Sequence, residues 1–185
     1  MRRFALPGLL PAFALTAILT STTKARAEPV IGVDLDLGTA FRRQIDLSLG
    51  AGGRFGYRFH FPLTSFFLQP ELGGHYTSFG RGNDLAYFDH AAAAFGGLRL
   101  GFGRFVQPNF FVHLGLGFAG ASQLGPAADI GGGLDFSITQ LFSLGVQAAY
   151  NTVTITESGD AARWVSFGLS LGFHLDTGPE RRQRR

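Results

Sequence analysis

The chain contains no cysteine, a single tryptophan and a single lysine, Lys24. The lack of cysteine excludes disulfides, thiolate metal sites and a lipoprotein anchor. Beyond residue 28 there is neither helical periodicity nor an apolar run of about 18 residues, so the sequence predicts no membrane-spanning helix. No H-E-x-x-H motif or other metal-ligand spacing is present. We therefore predict no metal and no cofactor.

The N-terminus has the pattern of an export signal. Arg2 and Arg3 precede an apolar stretch at 4–19, and Ala25 and Ala27 are small residues where a signal peptidase reads the chain. We predict a signal peptide over 1–27, a main domain over 28–175 and a short basic periplasmic tail over 176–185. Cleavage removes four basic residues and leaves 12 against 13 acidic ones, so the remaining charge indicates no nucleic-acid partner.

The rest of the chain alternates bulky apolar residues with small or polar ones. Side chains on a β-strand point to opposite faces in turn, so such a segment has one apolar face and one small or polar face. Turn residues separate the segments. The predicted strands are 31–37, 45–61, 66–76, 89–102, 110–118, 128–138, 142–150 and 165–175.

The bulk of the two faces predicts which one points inward. An eight-stranded barrel has an interior just wide enough for side chains to fill it, and the leucine, isoleucine, valine and phenylalanine side chains are too many to fit there. A soluble barrel would also need a polar exterior, yet no lysine follows Lys24. We predict an all-β fold, a closed antiparallel eight-stranded up-and-down transmembrane β-barrel. A soluble periplasmic sandwich or lipocalin-like barrel is the alternative.

The signal, the alternating strands, the glycine-rich inner face and the last segment, Phe167-Gly-Leu-Ser-Leu-Gly-Phe173, resemble the small OmpA/OmpX-type outer-membrane barrels. The resemblance implies a monomer in the bacterial outer membrane, in contact with its lipids, including lipopolysaccharide. It also implies insertion by the barrel-assembly machinery. An even number of strands places both ends in the periplasm and the longer loops outside. The basic tail is too short for a peptidoglycan-binding domain.

Charged residues fall on the predicted inner face. Isolated buried charges are costly, so we expect them to pair into a plug that closes the barrel. A two-residue turn at 62–63 would set Arg54 opposite Glu71, and a seven-residue connection after the fourth strand would bring Arg99 near His113. A narrow gated polar path is the alternative. The predicted interior network is Asp34, Asp36, Asp46, Arg54, Arg58, Glu71, Arg99, His113, Asp129 and Asp135, with Gln69, His75 and Gln147 beside it.

Two functional classes follow. The sequence favours a non-enzymatic barrel with an envelope-structural or surface-interaction role. The resemblance also covers small barrels that modify lipid A acyl chains, as deacylases or acyltransferases. For that alternative the candidate residues are His75, predicted opposite Asp89, with Ser78 and Thr77 as hydroxyl groups nearby. Four aromatic residues are predicted in the outer interfacial girdle: Trp164, Phe88, Tyr76 and Tyr150.

Overall fold

The computed structural model describes residues 26–40, 46–61, 64–80, 89–120, 124–154 and 161–175. They form a closed barrel in which every strand pairs antiparallel with the next and the last returns to the first. No helix among these residues is long and apolar enough to cross a membrane. The strands are β1 (Arg26–Ala40), β2 (Asp46–His60), β3 (Phe66–Phe79), β4 (His90–Phe102), β5 (Val106–Ala119), β6 (Gly125–Ser137), β7 (Phe142–Thr154) and β8 (Ala161–His174).

The fold class predicted from the sequence is confirmed. Strands of 13 to 15 residues exceed the roughly 9–11 needed for a tilted strand to cross a bilayer. Most of them extend the predicted segments by a few residues at one or both ends. β1 begins at Arg26, inside the predicted signal peptide, and residues 1–25 and 176–185 lie outside the described part of the chain. The signal cleavage and the basic tail therefore remain predictions.

The barrel is apolar outside and polar inside. Leu47 and Leu114 are 75% and 68% exposed, whereas Glu71 and Arg99 are each only 2% exposed. This arrangement follows directly from the period-two pattern, because one face of each strand must point outward. The prediction that the bulky apolar face points away from the interior is confirmed.

We call the end of the barrel with connections 41–45, 80–89, 120–124 and 155–160 the loop end, and the opposite end the turn end. At the loop end the interior is apolar, and the rings of Phe79 and Trp164 meet edge to face at 5.6 Å. Together they cap the polar interior. The buried apolar layer consists of Ala40, Phe79, Ala91, Ala119, Ala127, Val153, Ala162 and Trp164.

The position of Trp164 corrects the predicted aromatic girdle. Trp164 is 3% exposed and shares the inward face of β8 with Ser166, so its assignment to the outer girdle is wrong. The physical reason is the alternation of side chains along a strand, because Trp164 and Ser166 are two residues apart on β8 and therefore point to the same side. Tyr76 and Tyr150 do face outward, and Phe88 lies outside the described residues.

Candidate functional site

Glu71 is the centre of the polar interior. One of its carboxylate oxygens lies 3.1 Å from Arg99 Nη2 and 2.6 Å from His113 Nε2. The other accepts a hydrogen bond of 2.7 Å from Gln69 Nε2 and lies 3.7 Å from Arg54 Nε. A buried carboxylate needs such partners because desolvation otherwise disfavours its charge. Glu71 thus ties together side chains from four of the eight strands.

His113 links two carboxylates across the interior. Its Nε2 lies 2.6 Å from Glu71 and its Nδ1 lies 2.6 Å from Asp129 Oδ1. Ionised carboxylates only accept hydrogen bonds, so a ring that serves both must donate from both nitrogens as an imidazolium. Phe95 and Phe111 stack on the ring at 4.5 and 5.2 Å, which suits a cation. The ring is therefore fixed at its edges and on its faces.

Arg54 extends the network toward the first and last strands. Its Nη1 donates to both carboxylate oxygens of Asp34. Its Nη2 donates to Ser170 Oγ at 2.7 Å. A Cβ at Gly32 would meet the Arg54 guanidinium at 2.7 Å, so glycine leaves the room that this side chain occupies. The small inner wall and the large charged side chains are parts of one packing arrangement.

The other two arginines fill the turn-end half. Arg58 donates to Gln69 and Gln107 at 2.9 Å each, and its guanidinium lies 4.1 Å from the centre of the Phe67 ring. Arg99 donates to Asn109 at 2.8 Å. Cation–π and amide contacts of this kind satisfy guanidinium groups without a carboxylate for each.

Two smaller clusters lie at either side of this network. Toward the loop end, His75 Nε2 lies 2.9 Å from Asp36 Oδ2, and His75 Nδ1 lies 3.3 Å from Thr77 Oγ1. At the turn end, Glu28 lies 3.0 Å from His174 Nδ1 and 3.2 Å from His60 Nε2. The polar contacts therefore extend over most of the interior between the two ends.

Two predicted cross-strand pairs have the wrong register. Arg54 lies opposite Gly73, because β2 and β3 are joined by residues 61–65 and not by a two-residue turn. Arg99 lies opposite Phe111, because the next connection is 103–105 and not seven residues, but it is near His113 as predicted, since both contact the same oxygen of Glu71. Both errors shift the register by two, which preserves the face. Arg54, Arg99 and His113 consequently still point inward and all meet Glu71.

The predicted catalytic trio is not brought together. His75 lies opposite Ala93 and points inward, so the prediction that it lies opposite Asp89 is wrong. β3 runs three residues past its predicted end, to Phe79, whose amide donates to the Asp89 carbonyl, so Asp89 lies at the rim and contacts His90 instead. Ser78 faces outward, away from His75. These three residues form no joint site.

The remaining predicted interior residues are placed as follows. Asp34, Asp36, Arg58 and Asp135 are buried, and Asp129 is partly buried. Asp135 accepts a hydrogen bond of 3.1 Å from Asn109 Nδ2. Asp46 begins β2, and its side chain is outside the described part.

The interior leaves room for a few water molecules. Between Arg54, Arg99 and Ser166 there is a cavity of about 40 Å³, and a second of about 20 Å³ lies beneath Trp164. A single water needs roughly 10–15 Å³ of such space. Among the described residues, no group of three histidine, aspartate or glutamate side chains could hold a metal ion. The site is a packed charge network with two small neighbouring gaps, both lined by His75, Phe95, Asp129 and Asn151.

Comparisons with known proteins agree with this architecture. No family model and no curated protein matches the chain. Among solved structures, Neisserial surface protein A is 12% identical, with a TM-score of 0.55 over 80% of this chain and 98% of its own. The outer membrane enzyme PagL is 18% identical, with a TM-score of 0.56 over 77% and 98%. Ail of Yersinia pestis is 13% identical, with a TM-score of 0.51 over 83% and 100%.

The chain has the fold of the eight-stranded outer-membrane β-barrels. Identities this low carry the fold and nothing more specific. The apolar exterior decides the surroundings, since a belt of exposed leucine and phenylalanine is stable only against lipid, and a closed barrel has no free strand edge. The protein lies in the bacterial outer membrane.

Proposed function

We propose that this protein is a closed, non-conducting outer-membrane barrel whose interior is a structural plug and whose activity is exercised at its outer surface. One observation supports the proposal above all others: the interior charges are paired with one another beneath an apolar cap. A path for ions would require continuous water-filled space, and the two cavities between the inward side chains hold only about 40 and 20 Å³.

The balance of charges supports a plug over a gated path. Each inward carboxylate of the network contacts a donor, so an ion entering from either end would have to displace an existing contact. Breaking a buried pair costs about 3–5 kcal/mol. Arg54 and Arg99 contact carboxylates of this set, and Arg58 is held by Gln69 and Gln107. The carboxylates are Asp34, Asp36, Glu71, Asp129 and Asp135.

The test is conductance across planar bilayers by purified protein whose folding is verified by a boiling-dependent mobility shift on SDS gels. We expect folded wild-type protein to give no discrete conductance steps. The comparison uses a quadruple alanine variant. Phe79→Ala and Trp164→Ala remove the apolar cap, and Glu71→Ala and Arg99→Ala remove one charge pair. We expect this variant to conduct ions. Discrete steps from folded wild-type protein would overturn the proposal and favour a gated pore.

A further inference from the structure

His90 differs from the other histidines of the chain. All five histidines lie within the described residues, and the other four are on the inward face of their strands, within hydrogen-bond distance of a carboxylate. His90 lies on the outward face at the loop end of β4 and is about one-third exposed. A polar ring on the apolar exterior of a membrane barrel calls for a partner or a function.

The first partner of His90 is Asp89. The His90 Nδ1 lies 2.5 Å from Asp89 Oδ1, and the Asp89 side chain is 61% exposed at the rim. An ionised carboxylate only accepts, so Nδ1 donates to it, and in the neutral form of the ring Nε2 then carries the lone pair. A carboxylate on Nδ1 with a basic Nε2 is the arrangement that activates a hydroxyl nucleophile.

A hydroxyl group lies directly across the strand pair. Ser78 of β3 is the register partner of His90, and both face outward. The Phe79 amide donates to the Asp89 carbonyl at 2.8 Å, so that neighbouring pair is hydrogen-bonded. The pairs alternate along an antiparallel ladder, and Ser78 and His90 therefore form a non-hydrogen-bonded pair, in which Cα atoms are about 4.5 Å apart and side chains are closest.

Neighbouring rings hold the imidazole against the barrel wall. Tyr76 stacks on His90 at 6.1 Å with an interplanar angle of 23°, and Phe118 meets it edge to face at 6.0 Å. Both aromatic residues lie at the loop-end border of the lipid-facing belt, the level that aromatic girdles occupy at a membrane interface. The ester linkages of membrane lipids lie between their polar headgroups and their apolar tails, at the same border.

Small side chains continue from this point toward the middle of the belt. Below His90 the outward residues of β4 are Ala92 and Ala94, and Gly74 of β3 is the partner of Ala94. On the other side of β4, Phe118 and Leu116 of β5 are the partners of the two alanines. The small side chains of Ala92, Ala94 and Gly74 therefore lie beside the taller Phe118 and Leu116, an order of sizes that suits an extended hydrocarbon chain with its polar end at His90.

Going beyond the role proposed above, we propose that Ser78, His90 and Asp89 form an external esterase site for an ester-linked acyl chain of an outer-leaflet lipid. Ser78 Oγ attacks the ester carbonyl carbon while His90 Nε2 takes the hydroxyl proton. The ester C–O bond breaks, and His90 returns the proton to the departing alcohol. Water then attacks the acyl-Ser78 ester with His90 as base, which releases a carboxylic acid and restores the Ser78 hydroxyl.

The substrate test uses the full-length purified protein in vesicles and measures released fatty acid by mass spectrometry. One set of vesicles contains phospholipid only, and the second contains lipopolysaccharide as well. Release from the first set assigns a phospholipid ester, and additional hydroxylated acyl chains from the second assign lipopolysaccharide. Folded wild-type protein that releases no fatty acid from either set, and whose Ser78 is not labelled by a fluorophosphonate probe, would overturn the proposal.

The residue test uses variants whose folding is verified by the mobility shift on boiling. We expect Ser78→Ala and His90→Gln to slow release at least about 100-fold, since positioned acid–base groups contribute roughly 10²–10⁴-fold. Asp89→Asn should also lower the rate, because it disturbs the tautomer of His90. Thr39→Ala removes a hydroxyl on the outward face at the loop end of β1 and should leave the rate unchanged. Equal rates for Ser78→Ala and wild type would refute a catalytic Ser78.

Discussion

Replacement of Glu71 by glutamine tests the interior network at its centre. The substitution keeps the volume of the side chain and one carbonyl oxygen, and it removes the negative charge that Arg99 and His113 contact at 3.1 and 2.6 Å. Because Arg99 is 2% exposed, its guanidinium cannot turn to water for compensation. The glutamine NH₂ group would also replace one carboxylate oxygen, and at each oxygen two neighbouring side chains already direct N–H groups toward it. Donors would then face donors, and no hydrogen bond could form there.

The expected loss of stability follows from the groups that lose their carboxylate partner, Arg99 and His113. Removing one partner of a buried ion pair costs about 3–5 kcal/mol. Arg99 keeps Asn109 at 2.8 Å and the Phe111 ring at 4.4 Å, so we expect Glu71→Gln to fall at the lower end. A loss of about 3 kcal/mol corresponds to roughly a hundredfold fall in the folding equilibrium constant, since about 1.4 kcal/mol is tenfold.

The assay is a urea titration of protein folded in lipid vesicles, with the folded fraction read from unboiled gel mobility. The control Asp89→Asn removes a carboxylate from an exposed pair at the rim, and we expect a change below about 1 kcal/mol. Arg99→Met added to Glu71→Gln should recover part of the loss, because the uncompensated buried charge is then absent. Surface substitutions usually change the free energy of unfolding by less than about 0.5 kcal/mol. A Glu71→Gln value that differs from wild type by no more than this would refute the argument that the network stabilises the barrel.

Three further predictions use matched pairs in the same titration. A Cβ at Gly97 would lie 2.8 Å from His113 Cα, whereas a Cβ at Gly53 would have its nearest atom 3.9 Å away. Gly97→Ala should therefore lower the free energy of unfolding by about 1–3 kcal/mol more than Gly53→Ala does. Equal urea midpoints for the two variants would contradict this. Leu35→Arg should cost about 2–4 kcal/mol on the lipid face, well above Leu35→Ala, and a harmless arginine would argue against lipid contact. Phe67→Leu removes the ring beneath Arg58 and should cost about 1–2 kcal/mol, whereas Phe66→Leu, on the outer face, should cost less; the reverse order would be inconsistent with the cation–π contact.

The sequence predicts the faces of the strands far better than the partners across them. Alternation fixes which way Arg54 and Glu71 point, because a residue's face depends only on its own strand. Register depends on how many residues each connection uses, and the connection 61–65 is longer than the turn its Pro62-Leu63 pair suggested. A shift of two residues keeps every face and changes every neighbour.

Contacts across the interior are harder still to predict. Glu71 meets His113, two strands away, and His75 meets Asp36, also two strands away, and neither pair is adjacent in any ladder. Such distances depend on how the closed barrel staggers its strands, which no single strand pattern encodes. The apolar cap escapes prediction for a simpler reason: residue type favours the outer girdle for Trp164, although its position two residues before Ser166 places it on the inward face.

The inward and outward faces can be tested most directly with tryptophan fluorescence, because the chain has a single tryptophan. Folded protein is placed in vesicles whose acyl chains carry bromine, a quencher confined to the lipid. We predict that Trp164, buried inside the barrel, is shielded, and that Leu35→Trp in a Trp164→Phe background is strongly quenched. Strong quenching of Trp164 together with a shielded tryptophan at position 35 would contradict the account, since it would turn the polar face of the barrel toward the lipid.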